Sequence, residues 1–357
     1  MNLYISTYLA PYRLDLCERL SRDYGFAIYH YVGKEVPDGL DGLLPEYGFE
    51  SKRLPTGCFL GKPYAKGLDA LLGHLRPAWV FVQEFSLITL QLLLLRGKYG
   101  FRVVSFCDDS MDMISGNDFG VFHRVARHIV PKLLDNIVLN SPAVAGWYQS
   151  SFGKGLELPI LADESLFRQR LARAVPAAVV LRRKMVPDGR RMILFVGRLV
   201  ATKNLPLLIQ AGVAVKEQAR LVIVGEGEER EALERQAKEQ GVDAVFAGPA
   251  YGLDLLAFYQ AADVLVLPSK REAFGAVVGE ALMAGCPVLV SDKAGASSLV
   301  REGVNGYSFR LSRPEGLSTL LQKVLLSGKD HDPGDLRVSL CPVSFEASFR
   351  KMMETLL

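Results

Sequence analysis

Short, nearly continuous apolar runs alternate along the chain with longer segments of mixed polarity. In the first half the runs are "NLYIS" (2–6), "FAIYHYV" (26–32), "WVFVQ" (79–83), "RVVSF" (102–106) and "NIVLN" (136–140). In the second half they are "MILFVG" (192–197), "RLVIVG" (220–225), "AVFAG" (244–248), "DVLVLP" (263–268) and "PVLVSD" (287–292). Runs of four to six residues without polar alternation predict strands covered on both faces. The segments between them predict helices; "EEREALERQAKEQG" opens acidic and stops at Gly241. Strand–helix alternation of this kind implies parallel sheets wound on both sides. The alternation breaks once, at about 160–190, where "LPILADESLFRQRLARAVPAAVVLRRKMVPDGRR" carries prolines and charges and no strand period before Met192. The break divides the chain into a first domain, 1–162, and a second, 163–341. Sheets of this type bind ligands beyond the carboxyl ends of their strands, so two such domains predict a cleft between them.

Composition narrows the class. At 357 residues the chain exceeds what one core usually holds, and 49% apolar with 23% charged residues is ordinary for a globular protein. The longest apolar helix candidate, "SLITLQLLLLRG" (86–97), is about half a membrane span. The amino terminus lacks a basic, then apolar, leader, which predicts a cytoplasmic protein. Five scattered cysteines predict reduced thiols and no zinc framework. A net charge of +3 gives no ground for nucleic acid as partner. Basic residues do concentrate beside apolar ones in "HRVARHIVPK" (123–132) and "RQRLARAVPAAVVLRRK" (168–184). These are either solvated helix faces or a surface for anionic lipid headgroups, which would make the protein peripheral at the inner face of the membrane.

The strand exits of the second half carry the chemistry. "MILFVGRLVATKN" leaves its strand at Gly197 and presents Arg198 and then Lys203, two cations suited to two phosphates. "RLVIVGEGEER" exits through Gly225, Glu226, Gly227 and Glu228 without the spacing of a dinucleotide fingerprint. "VFAGPAYG" exits at Gly248 and Pro249, a turn that either supplies backbone groups to a nucleobase or only links strand to helix. In "PSKREAFGAVVGEALMAGCPVLVSD" a helix predicted to start near Ala276 presents the backbone N–H groups of Phe274, Gly275, Ala276 and Val277, a fitting seat for phosphate. Glu272, followed by Ala273, precedes that helix and Glu280 lies one turn inside it. Carboxylates do not bind phosphate; they accept hydroxyls. Hydroxyls at both ends of a diphosphate describe a nucleotide sugar.

Taken together, "GRLVATKN", "IVGEGEER" and "EAFGAVVGEALMAGCPVLVSD" resemble the donor-binding half of retaining glycosyltransferases of the GT-B fold, family four (group 1 type), closely over about 190–310. "LPILADESLFR" resembles that family's interdomain connection. The resemblance implies two Rossmann-like doubly wound domains facing across a cleft, with the acceptor domain first and the donor domain second. It also implies that a terminal helix within 342–357 returns to the first domain; Phe345, Phe349 and Met352 recur there at helical spacing. By the same resemblance Arg198, Lys203 and the backbone of 274–277 hold the diphosphate. Glu280 takes the ribose hydroxyls and Glu272 the donor sugar. Leaving-group stabilisation is then electrostatic, with no metal and no cofactor. The implied partners are a UDP- or GDP-linked sugar and a saccharide or lipid-linked acceptor, in the assembly of cell-surface polysaccharide or glycolipid.

On the acceptor side, "APYR" resembles an opening seen in some relatives, although the glycine pair many of them carry is absent. Arg13 either points to the cleft or caps the sheet. Asp108 and Asp109 end the strand in "VVSFCDDSMDMISGN", with Asp112 behind them. One of the pair is the candidate acidic residue near the reacting hydroxyl; the alternative is a helix N-cap at Asp109 or Ser110. An Asp-x-Asp type of metal site is set aside, because the donor site already neutralises the diphosphate. His123 and His128 read as surface residues. Two rival functions remain, a nucleotide-sugar epimerase of the same fold and a non-catalytic GT-B subunit.

Overall fold

The computed structural model describes residues 1–31, 47–116, 121–327 and 331–357, and at 121–123 and 327 the backbone alone. Of the segments singled out in the sequence, Val32, Asn117 and the His123 side chain lie outside the described residues. The chain divides into two compact units, Met1–Pro159 with Ser348–Leu357, and Ile160–Ala347.

In the first unit the elements run β1 (Asn2–Ser6), α1 (Leu14–Tyr24), β2 (Phe26–His30), β3 (Ser51–Arg53), β4 (Thr56–Phe59), β5 (Lys62–Ala65), α2 (Leu68–Leu75), β6 (Trp79–Gln83), α3 (Leu87–Tyr99), β7 (Arg102–Cys107), α4 (Met111–Ser115), α5 (Val121–Leu133), β8 (Asn136–Leu139), α6 (Pro142–Phe152) and β9 (Leu156–Glu157). Seven strands form one parallel sheet in the order β3-β2-β1-β6-β7-β8-β9, and β4 and β5 make a separate hairpin. Both sheet faces are covered, as the apolar runs demand. One face packs Leu3, Ile5, Val80 and Val82 against Leu72, Ile88, Leu92 and Val130. Aromatic residues Tyr4, Phe26, Phe81 and Phe106 form a second cluster, with Phe81 4.6 Å from Phe26 and 5.4 Å from Phe106 between ring centres. The terminal helix adds Phe349, buried against Tyr24 at 5.8 Å.

The second unit opens with α7 (Glu164–Met185) and continues β10 (Arg191–Val196), α8 (Leu205–Gly212), β11 (Ala219–Val224), α9 (Arg230–Glu239), β12 (Ala244–Gly248), α10 (Gly252–Ala261), β13 (Val264–Leu267), α11 (Ala276–Met283), β14 (Val288–Ser291), β15 (Gly306–Phe309) and α12 (Glu315–Ser327); α13 (Phe345–Leu356) closes the chain. Its six parallel strands lie in the order β12-β11-β10-β13-β14-β15. The stretch at 160–190, where the sequence shows only an interruption, is largely one 22-residue helix with Pro176 inside it. Asp163 caps that helix, accepting the N–H groups of Ser165 and Leu166. Phe167, Leu171, Ala174 and Ala178 form its buried stripe.

Both sheets reverse strand order once: at β1/β6 in the first unit, and at β10/β13 in the second. Consecutive crossovers leave in opposite directions at such a point, and the carboxyl ends part to make a crevice. Those two places are where the chemistry collects.

Candidate functional site

In the second unit, the loops after β10 and β13 are fastened to each other. The amide of Lys270 donates to Thr202 O at 2.8 Å, and Asn204 Nδ2 to Pro268 O at 3.2 Å. A single 3-10 turn, Ala201–Lys203, aims Lys203 across the gap, and its ammonium donates to the Glu272 carboxylate. Both side chains are largely withdrawn from water, at 17% and 16% exposure. The buried Ser269 hydroxyl also faces Glu272, at 3.4 Å, while Ser291 Oγ donates to Ser269 O at 2.6 Å. From the far side the 294–296 backbone braces the loop: Gly295 N–H reaches Glu272 O and Ala296 N–H reaches Phe274 O.

The helix α11 starts where the sequence places it. Gly275 stands at its N-cap with φ 98°, and a Cβ there would come within 2.6 Å of Leu267 Cδ2, so only glycine fits. The Phe274 ring is buried, and Ala273, Ala276 and Val277 are half-buried. The first N–H groups of the helix have no carbonyl four residues back to bond. Glu280 follows one turn later, and the buried Tyr259 of α10 donates its hydroxyl to Glu280 Oε2 at 2.5 Å. Burial, and then the Glu280 charge, push the Tyr259 phenol far up, so it stays a donor. Tyr259 fixes a carboxylate the sequence singles out, yet the sequence reads it only as part of a helix.

Gly225 joins this floor. Its N–H donates to Gly248 O at 2.8 Å, and a Cβ on it would fall 1.9 Å from Gly197 O. Three strand exits therefore meet backbone against backbone. Arg198 and Glu226 leave them toward solvent and are exposed.

In the first unit, the exits of β1, β6 and β7 bring Arg13, Glu84 and Asp108 together. Arg13, buried, pairs with the Asp108 carboxylate. Asp108 N–H donates to Glu84 Oε1 at 3.1 Å. Glu84 holds the left-handed conformation, φ 65°, which a side chain other than glycine enters at a cost of about 1 kcal/mol or more. Burial and then the neighbouring Asp108 charge push its carboxyl up to about 7. The sequence reading missed Glu84, since nothing at one position announces a strained backbone at a switch point.

Asp109 is placed otherwise. It is buried, and both its oxygens are bound internally: Arg127 forks onto them at 2.8 and 2.7 Å and the Tyr148 hydroxyl adds a bond at 2.6 Å. That geometry makes Asp109 a bracket between β7, α5 and α6, whereas Asp108 is the member of the pair that faces Arg13 and Glu84. Ser110, not Asp109, caps α4, accepting Met113 N–H at 3.2 Å. Asp112 sits half-buried in that short helix, and His128 is exposed. No cluster of three or more metal-ligating side chains occurs among the described residues.

Two units, each a parallel sheet with one reversal of strand order, define the GT-B class of fold. HepE of Anabaena, solved with UDP, shares it at a TM-score of 0.74 and 17% identity, over 100% of this chain and 99% of that one. Residues 181–333 match the family model for glycosyl transferases, group 1. An uncharacterized glycosyltransferase of Methanocaldococcus jannaschii is 40% identical over 144 residues, covering 39% of this chain and 37% of its own length. A GDP-mannose-dependent alpha-mannosyltransferase of Mycobacterium tuberculosis is 40% identical over 121 residues, covering 34% and 30%. The match thus spans about a third of the length of these curated relatives.

Proposed function

We infer that the protein is a retaining glycosyltransferase that moves a sugar from a nucleotide diphosphate to a hydroxyl of a saccharide or lipid-linked saccharide. The observation that carries the reading is the juxtaposition of Lys203, Glu272 and the amino end of α11 at the strand-order reversal of a family-matched unit. Lys203 has three N–H donors; one serves Glu272, and the others are available in kind for phosphate oxygens. Pairing also keeps the Glu272 carboxylate tolerable beside a diphosphate, so that it accepts sugar hydroxyls. Arg198 and the amides of Phe274, Gly275, Ala276 and Val277 complete the anion seat. Glu280, oriented by Tyr259, takes the ribose; Gly248 and Glu226 border the base. These cations and amides match the charge of a diphosphate leaving group, so the proposed reaction needs no metal.

In the reaction the acceptor oxygen bonds the anomeric carbon while the bond from that carbon to the phosphate oxygen breaks. The hydroxyl proton passes to the leaving phosphate on the same face, and configuration is kept. HepE has been solved with UDP-glucose, and the mycobacterial relative's name specifies GDP-mannose, so both bases are candidates for this chain. The test is a thermal-shift screen with UDP-, GDP-, ADP- and dTDP-sugars, followed by anomeric-proton NMR of the product with and without EDTA. Stabilisation by one donor class, a retained anomer and indifference to EDTA are expected. An inverted anomer, or a sugar epimerised without acceptor, would overturn the reading.

A further inference from the structure

Of the two stretches that mix basic and apolar residues, the structure spends one internally and leaves the other on the surface. On α7, Arg168 donates to Met283 O at 3.0 Å, and Arg182 bonds Ala261 O, Arg190 O and the Asp263 carboxylate. Those side chains fasten the helix to its own unit.

The helix α5 differs. Its inner face buries Ala126, Arg127 and Val130, and the Arg127–Asp109 fork fixes its rotation. On the outer face Val125, Ile129 and Leu133 recur every four residues and stay 48%, 52% and 46% exposed. Arg124, His128 and Lys132 recur at the same interval beside them and are exposed too. No acidic residue occurs from 124 to 134. The carbonyl end of the helix, normally its negative pole, is covered by cations: Lys154 donates to Pro131 O, Lys132 O and Leu134 O, and Arg96 donates to Leu133 O at 2.7 Å. The result is an apolar stripe flanked by a cationic one on a helix that cannot roll. None of the described helices is long and apolar enough to cross a membrane, so this face would rest in a bilayer surface without spanning it.

We propose that the outer face of α5 is a docking surface for an anionic lipid bilayer. Val125, Ile129 and Leu133 enter the boundary between headgroups and acyl chains, and Arg124 and Lys132 meet the lipid phosphates. Charge decides between this occupant and a second copy of the chain. A two-fold self-contact would bring the cationic stripe against its own like, which is unfavourable unless counter-charges intervene, and the stripe contains none. The proposal concerns the first unit alone and does not depend on the donor chemistry of the second.

The experiment uses the full chain and co-sedimentation with two kinds of vesicle: phosphatidylcholine alone, and phosphatidylcholine with roughly one third phosphatidylglycerol. Binding is expected only to the anionic vesicles and should fall with added salt. The pair Arg124→Gln/Lys132→Gln should weaken it about tenfold. Ile129→Ser/Leu133→Ser should abolish it while thermal unfolding stays unchanged. Donor-nucleotide binding by the same variants separates this result from any failure of the transferase reading. Equal binding to neutral vesicles, no binding, or variants that bind like the parent would each overturn the proposal. So would a concentration-dependent dimer lost in Ile129→Ser, which would assign the stripe to a second copy.

Discussion

Lys203 and Glu272, 69 residues apart in sequence, are joined as an ion pair across the strand-order reversal of the second unit. Each loop alone is an ordinary strand exit. Their pairing, and the Lys270–Thr202 backbone bond beneath it, turn two loops into one rigid edge. Removing either charge should therefore damage transfer far more than folding. Lys203→Met and Glu272→Gln are each expected to lower kcat/KM by roughly 10²–10³, with circular dichroism unchanged. Steady-state rates near the parent's in both variants would refute the assignment.

The first unit makes a pH prediction. Glu84, held up to about 7 by burial and by Asp108, loses its proton inside the neutral range. Only the ionised form adds negative charge beside Asp108 and accepts a hydrogen bond from the acceptor hydroxyl, whose proton still passes to the leaving phosphate. Transfer should therefore rise as pH passes about 7, and Glu84→Gln should erase that limb while donor affinity stays constant. The raised value also means the folded state holds this proton more tightly than the unfolded chain. Stability should therefore fall as pH climbs from the ordinary carboxyl range through about 7, and the Gln variant should lack this loss. A pH–rate profile on parent and variant reads the first effect, and urea unfolding across the same range reads the second.

Asp108 and Asp109 are neighbours with opposite expected phenotypes. Asp109→Asn leaves Arg127 as a buried charge short of its counter-ion, at a cost of about 3 kcal/mol or more. Asp108→Asn also removes the counter-ion of the buried Arg13, but the neighbouring Glu84 carboxyl, relieved of the Asp108 charge, ionises more readily, so turnover should fall with a smaller effect on melting. Calorimetry and a transfer assay on the two single variants distinguish them; a swapped pattern would exchange the bracket and the reactive carboxylate.

Asp263 anchors the second unit against acid. Burial opposes its charge, but the bond from His331, the Arg182 guanidinium and the Met192 N–H outweigh burial and hold its carboxyl well below the usual range. A depressed value contributes stability above the unfolded-state value, and that stability is lost as pH drops toward the folded one. Asp263→Asn should cost about 3–5 kcal/mol near neutrality and flatten the acid-unfolding curve, followed by circular dichroism.

The strands buried on both faces were legible because such strands need no polar alternation: "MILFVG" and "RLVIVG" predict β10 and β11 nearly to the residue. The short strands were not. Ser51–Arg53 and Leu156–Glu157 lie at the sheet edges with mostly exposed or half-buried side chains, so no apolar signal marks them. Pro176 and Pro187 made a long helix look like a linker, although Pro176 sits within α7 on an exposed position. The donor-side residues stood out because glycines and a carboxylate pair cluster within one loop. Glu84 and Tyr259 did not, because their roles arise from neighbours that only the folded sheet supplies.

Beneath the proposed donor site, the approach of Gly225 to Gly197 O leaves no room for even a methyl group. Evolution, or an engineer, therefore has no handle there. Altering which nucleotide is preferred must proceed through exposed positions such as Glu226, where a side chain can be exchanged without disturbing the contacts below. A mutant library confined to those margins should yield altered preference among folded proteins, whereas one aimed at the base of the pocket should yield mostly misfolded chains.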